Sequence, residues 1–282
     1  MSNALPRVSI CLPAYNCEKF VGQAIESVLS QTFENFELII SDDCSTDSTL
    51  NIIKGFKDPR IRVLENKENL GMEGNWNKTL EAARGEFIKL FCNDDLLYPT
   101  CLERQVAIFD DSSNADVVLV SCKRNIIDSN GKRLLKRGQK LRGRVPGEEA
   151  IRKTISAGTN VIGEPTAVMF RADLLRSTGA FSQSIPYLID LDLWSRLLLK
   201  GDAYIIPEAL CVFRVANISA SVRMAKNQSK EYSDFIDKLS SNSDFKLTTF
   251  DKIKGKAMAR INGLMRQVLY RIVLQNKSEQ KQ

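Results

Sequence analysis

The chain has 282 residues, of which 43% are apolar and 26% are charged, with a formal net charge of +6 and no histidine. This composition is typical of globular domains and excludes a disordered chain, a collagen and a disulfide-stapled miniprotein. The lack of histidine excludes Ser-His-Asp and Cys-His catalysis and imidazole zinc sites. Carboxylates, amides, hydroxyls or a hard metal ion must therefore carry any chemistry.

The length of the apolar runs indicates where in the cell the protein is expected. None of them reaches the roughly 18 to 20 residues that a membrane-spanning helix needs, and residues 1–7 lack the pattern of a secretion signal. Seven cysteines occur without a Cys-x-x-Cys pair, which favours reduced thiols in a cytosolic protein. We expect a cytoplasmic protein, with contact at the inner face of the cell membrane as an option.

The first half of the chain predicts alternating strands and helices. Short apolar runs predict strands at residues 7–12, 36–41, 61–64, 87–91 and 117–120. Pro13 is expected to stop the first of them. Apolar residues at helical spacing and capping residues predict helices at residues 18–31, 47–56, 74–83 and 99–109. This alternation indicates a doubly wound, mostly parallel α/β sheet flanked by helices.

The pattern changes after residue 121. Residues 128–131 (DSNG) are a turn signal between an apolar and a basic stretch, which predicts a hairpin. Further elements are a strand before residue 170, a helix at 189–199, a strand or strand pair at 203–214 and a basic amphipathic C-terminal segment. Apolar residues of that segment fall roughly on one face: Ile253, Met258, Ile261, Met265, Val268, Leu269 and Ile272.

Positive charge is concentrated at residues 123–144 and from residue 252 onward. It suits a phosphate-rich partner, such as nucleic acid, anionic lipid or a nucleotide-activated metabolite. Nucleic acid is the weakest of these, because residues 123–144 contain no aromatic side chains between the basic ones.

Acidic residues follow two of the predicted strands, at the sheet edge where open α/β folds bind ligands. Asp94 and Asp95 follow one strand, and the adjacent pair Asp42 and Asp43 follows another. Adjacent carboxylates repel each other unless a cation or donors compensate, so these residues are candidates for Mg²⁺ or Mn²⁺ binding. The alternative is a solvated acidic turn before the helix that begins at Pro99. The turn after the first strand lacks Gly-x-Gly-x-x-Gly and no Walker sequence occurs, which argues against dinucleotide-binding and P-loop enzymes.

A further pair of acids, Asp190 and Asp192, lies at the start of a predicted helix. Acids at this place either stabilise the helix N-terminus or hold a general base in a fixed position. The residue types leave both interpretations open. Trp194 and Trp76 are first expected in the core or a pocket wall, and Arg196 in an ion pair.

These residues, in this order, resemble the inverting nucleotide-sugar glycosyltransferases of family 2, which have the GT-A fold. The resemblance covers residues 8–221 and is most specific in VSICLPAYNCEKFVGQAIESVLSQTFENFELIISDDCSTDST. The segments NLGMEGNWNKTLEAARGEFIKLFCNDD, GEPTAVMFR and DLDLWSRLLLKG also fit. It implies a GT-A domain over residues 1–221, divided into a nucleotide-binding half (about 7–122) and an acceptor half (about 123–221), and a basic helical extension over 222–282.

The resemblance also implies roles for single residues. Asp190 matches the catalytic base, and Asp95, the last carboxylate of the DxD-type motif, matches the residue that holds Mn²⁺ or Mg²⁺ on the diphosphate. Asp43 favours a uracil or thymine base. The nucleotide-sugar-binding positions are Pro13, Tyr15, Asp43, Asn77 and Asp94. The acceptor-side candidates are Glu164, Asp192 and Trp194.

The implied reaction is the transfer of one sugar, with inversion, from a UDP- or dTDP-sugar to a hydroxyl of a glycan or lipid-linked saccharide in cell-surface polysaccharide assembly. The Gln-x-x-Arg-Trp signature and the membrane spans of processive synthases are absent from the sequence, so a single addition is expected. Contact of the basic segments with anionic lipid and a homodimer are further expectations.

Three departures from the family pattern stand out. Ile189 occupies the position before the base where many relatives carry Glu, Trp76 replaces an Arg, and Ala216 replaces a His that often contacts the metal or phosphate. The third protein ligand of the metal is then missing, unless water or Asn217 substitutes. These departures leave a catalytically degenerate nucleotide-sugar-binding protein as the alternative function.

Overall fold

The computed structural model describes residues 5–137, 141–215, 224, 227–243 and 245–275. They contain one mixed sheet of ten strands in the order β3-β2-β1-β4-β9-β6-β10-β5, with β7 beside β6 and β8 beside β10. The strands are β1 (Val8–Ala14), β2 (Phe36–Asp42), β3 (Ile61–Glu65), β4 (Phe87–Leu90), β5 (Leu96–Leu97), β6 (Val117–Asp128), β7 (Arg133–Arg137), β8 (Gly143–Val145), β9 (Val168–Arg171) and β10 (Asp202–Val215).

Helices connect the strands and continue beyond the last one. Their bounds are α1 (Val21–Leu29), α2 (Thr49–Gly55), α3 (Gly71–Glu81), α4 (Cys101–Asp110), α5 (Gly147–Ala157), α6 (Leu175–Thr178), α7 (Ile189–Leu198), α8 (Gln228–Ser240) and α9 (Thr249–Gln275). In the part of the chain that the structure covers, no helix is both long and apolar enough to cross a membrane.

The predicted parallel unit is confirmed in the first half of the sheet, where β3, β2, β1 and β4 run parallel. The second half is mixed, because β9 lies antiparallel between β4 and β6 while β6 and β10 are parallel. The carboxyl ends of β1, β2 and β4 therefore share one edge of the sheet, where ligands bind in open α/β folds.

The sequence predicts that Pro13 stops β1, and this prediction is wrong, because Pro13 lies inside the strand. The Cys11 carbonyl accepts from Phe91 N while the Ala14 carbonyl accepts from Asp43 N, so Pro13 faces the β4 side. Paired residues of β4 end at Leu90, and the missing N–H of Pro13 removes no ladder hydrogen bond there.

Alternate side chains of the strands enter two hydrophobic cores on opposite faces of the sheet. Ile10 and Leu12 of β1 join the core that contains α1 and α4. Cys11 joins the other core, which contains α5, α7 and α8. Because α8 and Ala259 of α9 contribute to this second core, the C-terminal extension packs as part of the same body as the sheet.

Strand β6 is longer than the sequence predicts and continues through residues of high polarity. Ser121 donates from Oγ to the Ile162 carbonyl at 2.6 Å, and Arg124 is paired with Glu164. These partners allow a polar run to remain in a buried strand. The hairpin predicted at residues 128–131 is confirmed: β6 and β7 pair antiparallel, and Gly131 has the positive φ of 83° that the turn requires.

Candidate active site

The loops after β1 and β2 hold each other at the ligand edge of the sheet. Oδ1 of Asn16 accepts a hydrogen bond from Thr46 N at 2.8 Å, and Cys17 N donates to Oγ1 of Thr49 at 2.8 Å. Tyr15 directly precedes these two contacts in the chain and is 46% exposed. The sequence-predicted nucleotide-binding residues Pro13 and Tyr15 are thus a buried strand residue and an exposed ring on a fixed loop.

Asp43 is buried and fixes the start of α3. Its Oδ1 accepts from Asn66 Nδ2 and Leu70 N, both at 2.8 Å, and its Oδ2 accepts from Gly71 N at 3.0 Å. A carboxylate at a helix N-terminus is favoured by the helix dipole. Oδ2 accepts one hydrogen bond from these partners, and a carboxylate oxygen can accept two.

Asp95 is the most enclosed member of the acidic turn after β4. It is fully buried, its Oδ2 accepts from Thr166 Oγ1 at 2.5 Å, and its Oδ1 accepts from Arg214 N at 2.9 Å. Burial raises the pKa of Asp95 well above its ordinary value, and the nearby charge of Asp94 raises it further. The turn therefore carries negative charge that the protein compensates only in part.

Arg214, near the end of β10, ties this turn to α1. Its Nε donates to the Asp94 carbonyl at 2.7 Å and its Nη2 donates to Oε1 of Gln23 at 3.2 Å. The guanidinium also lies 4.5 Å from the centre of the Phe20 ring, a cation–π distance. The last strand and the first helix thus hold the acidic turn from two sides.

The donor set at this turn suits a divalent cation. Mg²⁺ and Mn²⁺ prefer carboxylate oxygens and are often held by one or two carboxylates together with substrate phosphates. Asp94 and Asp95 supply such oxygens, and the raised pKa of Asp95 marks a charge that a cation would stabilise. Among the described residues, no three cysteine, aspartate or glutamate side chains form a cluster that could hold a metal by themselves. Ala216 and Asn217 lie outside the described residues.

Asp190 lies in the first turn of α7, at the helix start that the sequence predicts, and is half-buried. Its Oδ1 accepts from Leu191 N at 2.8 Å and its Oδ2 accepts from Asn160 Nδ2 at 3.2 Å. Burial raises the pKa of Asp190 to about 7, with the Glu164 charge adding to the effect. This pKa is close to the value that suits a general base at neutral pH.

Glu164 connects the two acidic positions. It forms an ion pair with Arg124, whose Nη2 lies 2.6 Å from Glu164 Oε1. Its charge contributes to the raised pKa of both Asp95 and Asp190. The structure thus places Glu164 close enough to Asp95 and to Asp190 for its charge to raise the pKa of both.

Two of the acceptor-side candidates, Asp192 and Trp194, are buried in the core. Asp192 is buried and accepts from Arg196 Nε at 3.1 Å and from Lys238 Nζ at 2.5 Å. The Arg196 guanidinium also donates to backbone carbonyls at 178–180. Trp194 is fully buried and donates from Nε1 to the Gly163 carbonyl at 3.1 Å. Both side chains are therefore buried and hydrogen-bonded within the protein, and neither presents a surface to a ligand.

Asn77 has a similar supporting position. Its Nδ2 donates to the Phe181 carbonyl at 2.9 Å and its Oδ1 accepts from Phe181 N at 3.0 Å. Trp76 contacts the same residue edge to face, with 5.1 Å between ring centres. Both ends of the Asn77 amide therefore hold the loop that precedes α7.

Sequence reasoning missed three residues that shape the site: Asn160, Thr166 and Arg214. Thr166 lies in GEPTAVMFR, a segment that fits the family pattern without indicating a role for its hydroxyl. Oγ1 of Thr166 contacts Asp95 across 71 positions, and the Arg214 amide contacts Asp95 across 119. For Thr166 the segment itself is the signal that the sequence offers, because no local pattern encodes contacts at such separations.

Known proteins are similar to this chain in sequence and in fold. The sequence model of the family described as Glycosyl transferase family 2 matches residues 9–178. The chain is 30% identical over 237 residues to the putative teichuronic acid biosynthesis glycosyltransferase TuaG of Bacillus subtilis, which covers 82% of this chain and 88% of TuaG.

Two solved structures show a similar fold. One is S. aureus TarS 1–349 in complex with UDP-GlcNAc, with a TM-score of 0.69 and 20% identity over 90% of this chain and 71% of that one. The other is the mannosyltransferase PcManGT from Pyrobaculum calidifontis in complex with GDP-Man and Mn²⁺, with a TM-score of 0.64 and 16% identity over 98% of this chain and 76% of that one.

Proposed function

The chain belongs to glycosyltransferase family 2 and has the GT-A fold, and we propose that it transfers one sugar, with inversion, from a UDP- or dTDP-sugar to a hydroxyl of a glycan or lipid-linked saccharide. The polymer is a cell-surface polysaccharide, a proposal supported by the similarity to TuaG, a putative teichuronic acid biosynthesis enzyme. The similarity in fold to TarS in complex with UDP-GlcNAc supports a nucleotide-sugar donor.

The observation that carries the catalytic proposal is the position of Asp190. It lies in the first turn of α7, and its pKa is raised to about 7 by burial and by the Glu164 charge. The same Glu164 charge also raises the pKa of Asp95 on the acidic turn. A base with this pKa is largely deprotonated just above neutral pH and can still accept a proton readily. The hydrogen bonds from Leu191 N and Asn160 Nδ2 hold its two oxygens in place.

In the proposed reaction, Asp190 accepts the proton of the acceptor hydroxyl as the acceptor oxygen attacks the anomeric carbon. The new carbon–oxygen bond forms on the face opposite the leaving group, and the bond from the anomeric carbon to the diphosphate oxygen breaks. The nucleoside diphosphate leaves with the bonding electrons. One displacement of this kind inverts the anomeric configuration.

The nucleotide lies, in this proposal, against the loops after β1 and β2. Tyr15 offers an exposed ring face to the base, and Pro13 forms the floor beneath it. Oδ2 of Asp43 accepts one hydrogen bond, from Gly71 N, and can accept another from the imide N–H of uracil or thymine. Asp94 lies on the acidic turn, where the ribose and donor sugar are expected.

Asp95, with Asp94, would hold the divalent cation at the diphosphate. Bound there, Mn²⁺ or Mg²⁺ would supply stabilisation of the negative charge on the leaving diphosphate. Thr166 Oγ1 and Arg214 N keep the Asp95 carboxylate in a fixed orientation. On the acceptor side, Glu164 raises the pKa of Asp190 through its charge. Asp192 and Trp194 are buried and support the first turns of α7 from the core.

Thermal unfolding with UDP, dTDP, GDP and CDP, each with and without Mn²⁺, tests the donor proposal. A nucleotide at one hundred times its Kd should stabilise the fold by about 2.7 kcal/mol. Stabilisation by UDP or dTDP that requires Mn²⁺ supports the proposal, whereas a lack of response to all four contradicts it.

A degenerate nucleotide-sugar-binding protein is the second candidate. The hydrogen bonds that already engage both oxygens of Asp95 favour it. Asp190→Asn separates the two functions, because transfer should be lost while UDP still stabilises the fold. Equal transfer by Asp190→Asn and the unchanged protein would refute the catalytic role of Asp190.

A further inference from the structure

Helix α9 is attached to the rest of the protein through small residues. Gly255, Ala259 and Gly263 are buried and recur every four residues, on one face of the helix. An added Cβ on Gly255 would lie 2.9 Å from side-chain atoms of Ile155 and Ile236. The lack of any side chain larger than the Ala259 methyl at these three positions lets α9 lie close against α5 and α8.

The large apolar residues of α9 point the other way. The apolar stripe of α9 comprises residues that are between 48% and 70% exposed: Phe250, Ile253, Ile261, Leu264, Met265 and Val268. At 100° per residue these positions fall within an arc of about 120°. Most of the exposed large apolar side chains in the described part of the chain belong to this stripe. Contiguous exposed apolar surface of this kind marks an interaction site.

The charge of α9 is strongly positive around the stripe. Residues 249–268 contain five Lys or Arg residues and one Asp. Lys256 is engaged by Asp237, and Arg266 donates to the Gln228 side chain. Lys254 and Arg260 are exposed and lie within about 80° of the centre of the stripe.

We propose that the apolar stripe of α9 binds the surface of an anionic lipid membrane, with the helix lying in the plane of the interface. Apolar side chains would enter the boundary between head groups and acyl chains, while Lys254 and Arg260 contact anionic head groups. A second copy of this chain fits less well, because pairing two such helices brings their cations together.

This binding surface is connected to the acidic site through the opposite face of α9. Arg266 contacts the Tyr187 hydroxyl and lies 3.0 Å from Thr159 Oγ1. Thr159 precedes Asn160, which donates to Asp190, and Tyr187 lies three positions before Asp190. A membrane bound at the stripe would therefore lie on the side of the domain that carries the loops around Asp190. The proposal does not depend on the donor or on the role of Asp190.

Vesicle flotation of the full chain tests this surface. We expect the protein to float with vesicles of phosphatidylcholine and phosphatidylglycerol, to bind phosphatidylcholine alone much less, and to dissociate as salt is raised. The double variant Leu264→Gln/Met265→Gln should weaken binding at least about tenfold, because two apolar side chains no longer enter the lipid. Lys254→Glu/Arg260→Glu should remove the preference for anionic vesicles.

Leu5→Gln is the matched control, because Leu5 is 67% exposed and lies far from α9 in sequence. It should bind vesicles like the unchanged protein, and circular dichroism should give all variants the same fold. The proposal is overturned if the unchanged protein does not float with anionic vesicles, or if Leu264→Gln/Met265→Gln floats equally well. A dimer in light scattering that this double variant converts to monomer would also overturn it, by assigning the stripe to a second copy.

Discussion

The backbone amide of Arg214 lies 2.9 Å from Oδ1 of Asp95, across 119 positions of sequence. Through its side chain, Arg214 also contacts the Asp94 carbonyl at 2.7 Å. A buried carboxylate that accepts a backbone N–H is held in one orientation, since an unmet hydrogen bond in the interior is costly. The end of β10 and the acidic turn after β4 therefore form one rigid unit.

Thr166 supplies the second hydrogen bond of this unit. Replacing it by Val removes the hydroxyl that donates to Asp95 Oδ2 at 2.5 Å and accepts from Cys92 N at 3.3 Å. We expect the free energy of unfolding, measured in urea, to fall by about 1–3 kcal/mol, because a buried oxygen loses its donor. Thr166→Ser keeps the hydroxyl and should remain close to the unchanged protein. Equal stability of the Val and Ser variants would contradict this prediction.

The rate of transfer should depend on pH through Asp190. Because burial and the Glu164 charge raise its pKa to about 7, the carboxylate is mostly protonated below that pH and cannot accept a proton. We expect kcat/KM to fall about tenfold per pH unit below the pKa and to level off above it. Asp190→Asn should lower kcat by roughly 10²–10⁴-fold. A rate that is flat from pH 5 to 8 would remove Asp190 from the role of base.

The same raised pKa predicts a change in stability. Between the ordinary value of 3.8 and about 7, Asp190 binds a proton more tightly in the folded state than in the unfolded state. Its contribution to stability is therefore complete below pH 3.8 and is lost as the pH rises toward 7. Compared with Asp190→Asn, the unchanged protein should lose at most about 1.4 kcal/mol per pH unit across this window. Urea unfolding of both proteins at several pH values measures the difference, and parallel curves would count against it.

Substitution of Asp192 tests whether this residue stabilises the fold or contacts the acceptor. Its carboxylate is buried and contacts both Arg196 and Lys238. Asp192→Asn removes the one carboxylate that pairs with both cations, and we expect a loss of about 3 kcal/mol of unfolding free energy, since removing one member of a buried pair is costly. Lys238→Met should cost less, because Arg196 remains and Lys238 is 44% exposed. A raised acceptor KM in Asp192→Asn with unchanged stability would instead favour direct contact with the acceptor.

The first half of the fold was predictable because its information is local. The apolar runs and helical periodicity up to residue 109 predict β1–β4 and α1–α4 in the correct order, and Asp94, Asp95 and Asp190 stand out at the ends of elements. The extent of β6 was not predictable, because an arginine such as Arg124 predicts an exposed position. Only the structure shows the ion pair with Glu164 that allows it to be buried. Strand order was also out of reach: no local pattern states that β9 enters between β4 and β6.

The seven cysteines lie within the described residues, and all of them are free thiols. Five are buried, Cys92 is partly buried with a pKa well above its ordinary value because of burial, and Cys44 is exposed. Cys44 follows Asp43 directly, at a backbone φ of 60°. The chain thus carries a single accessible attachment point for a thiol-reactive fluorophore. If the nucleotide binds beside Asp43 as proposed, the emission of a dye placed there should change on nucleotide binding, without any cysteine having to be removed.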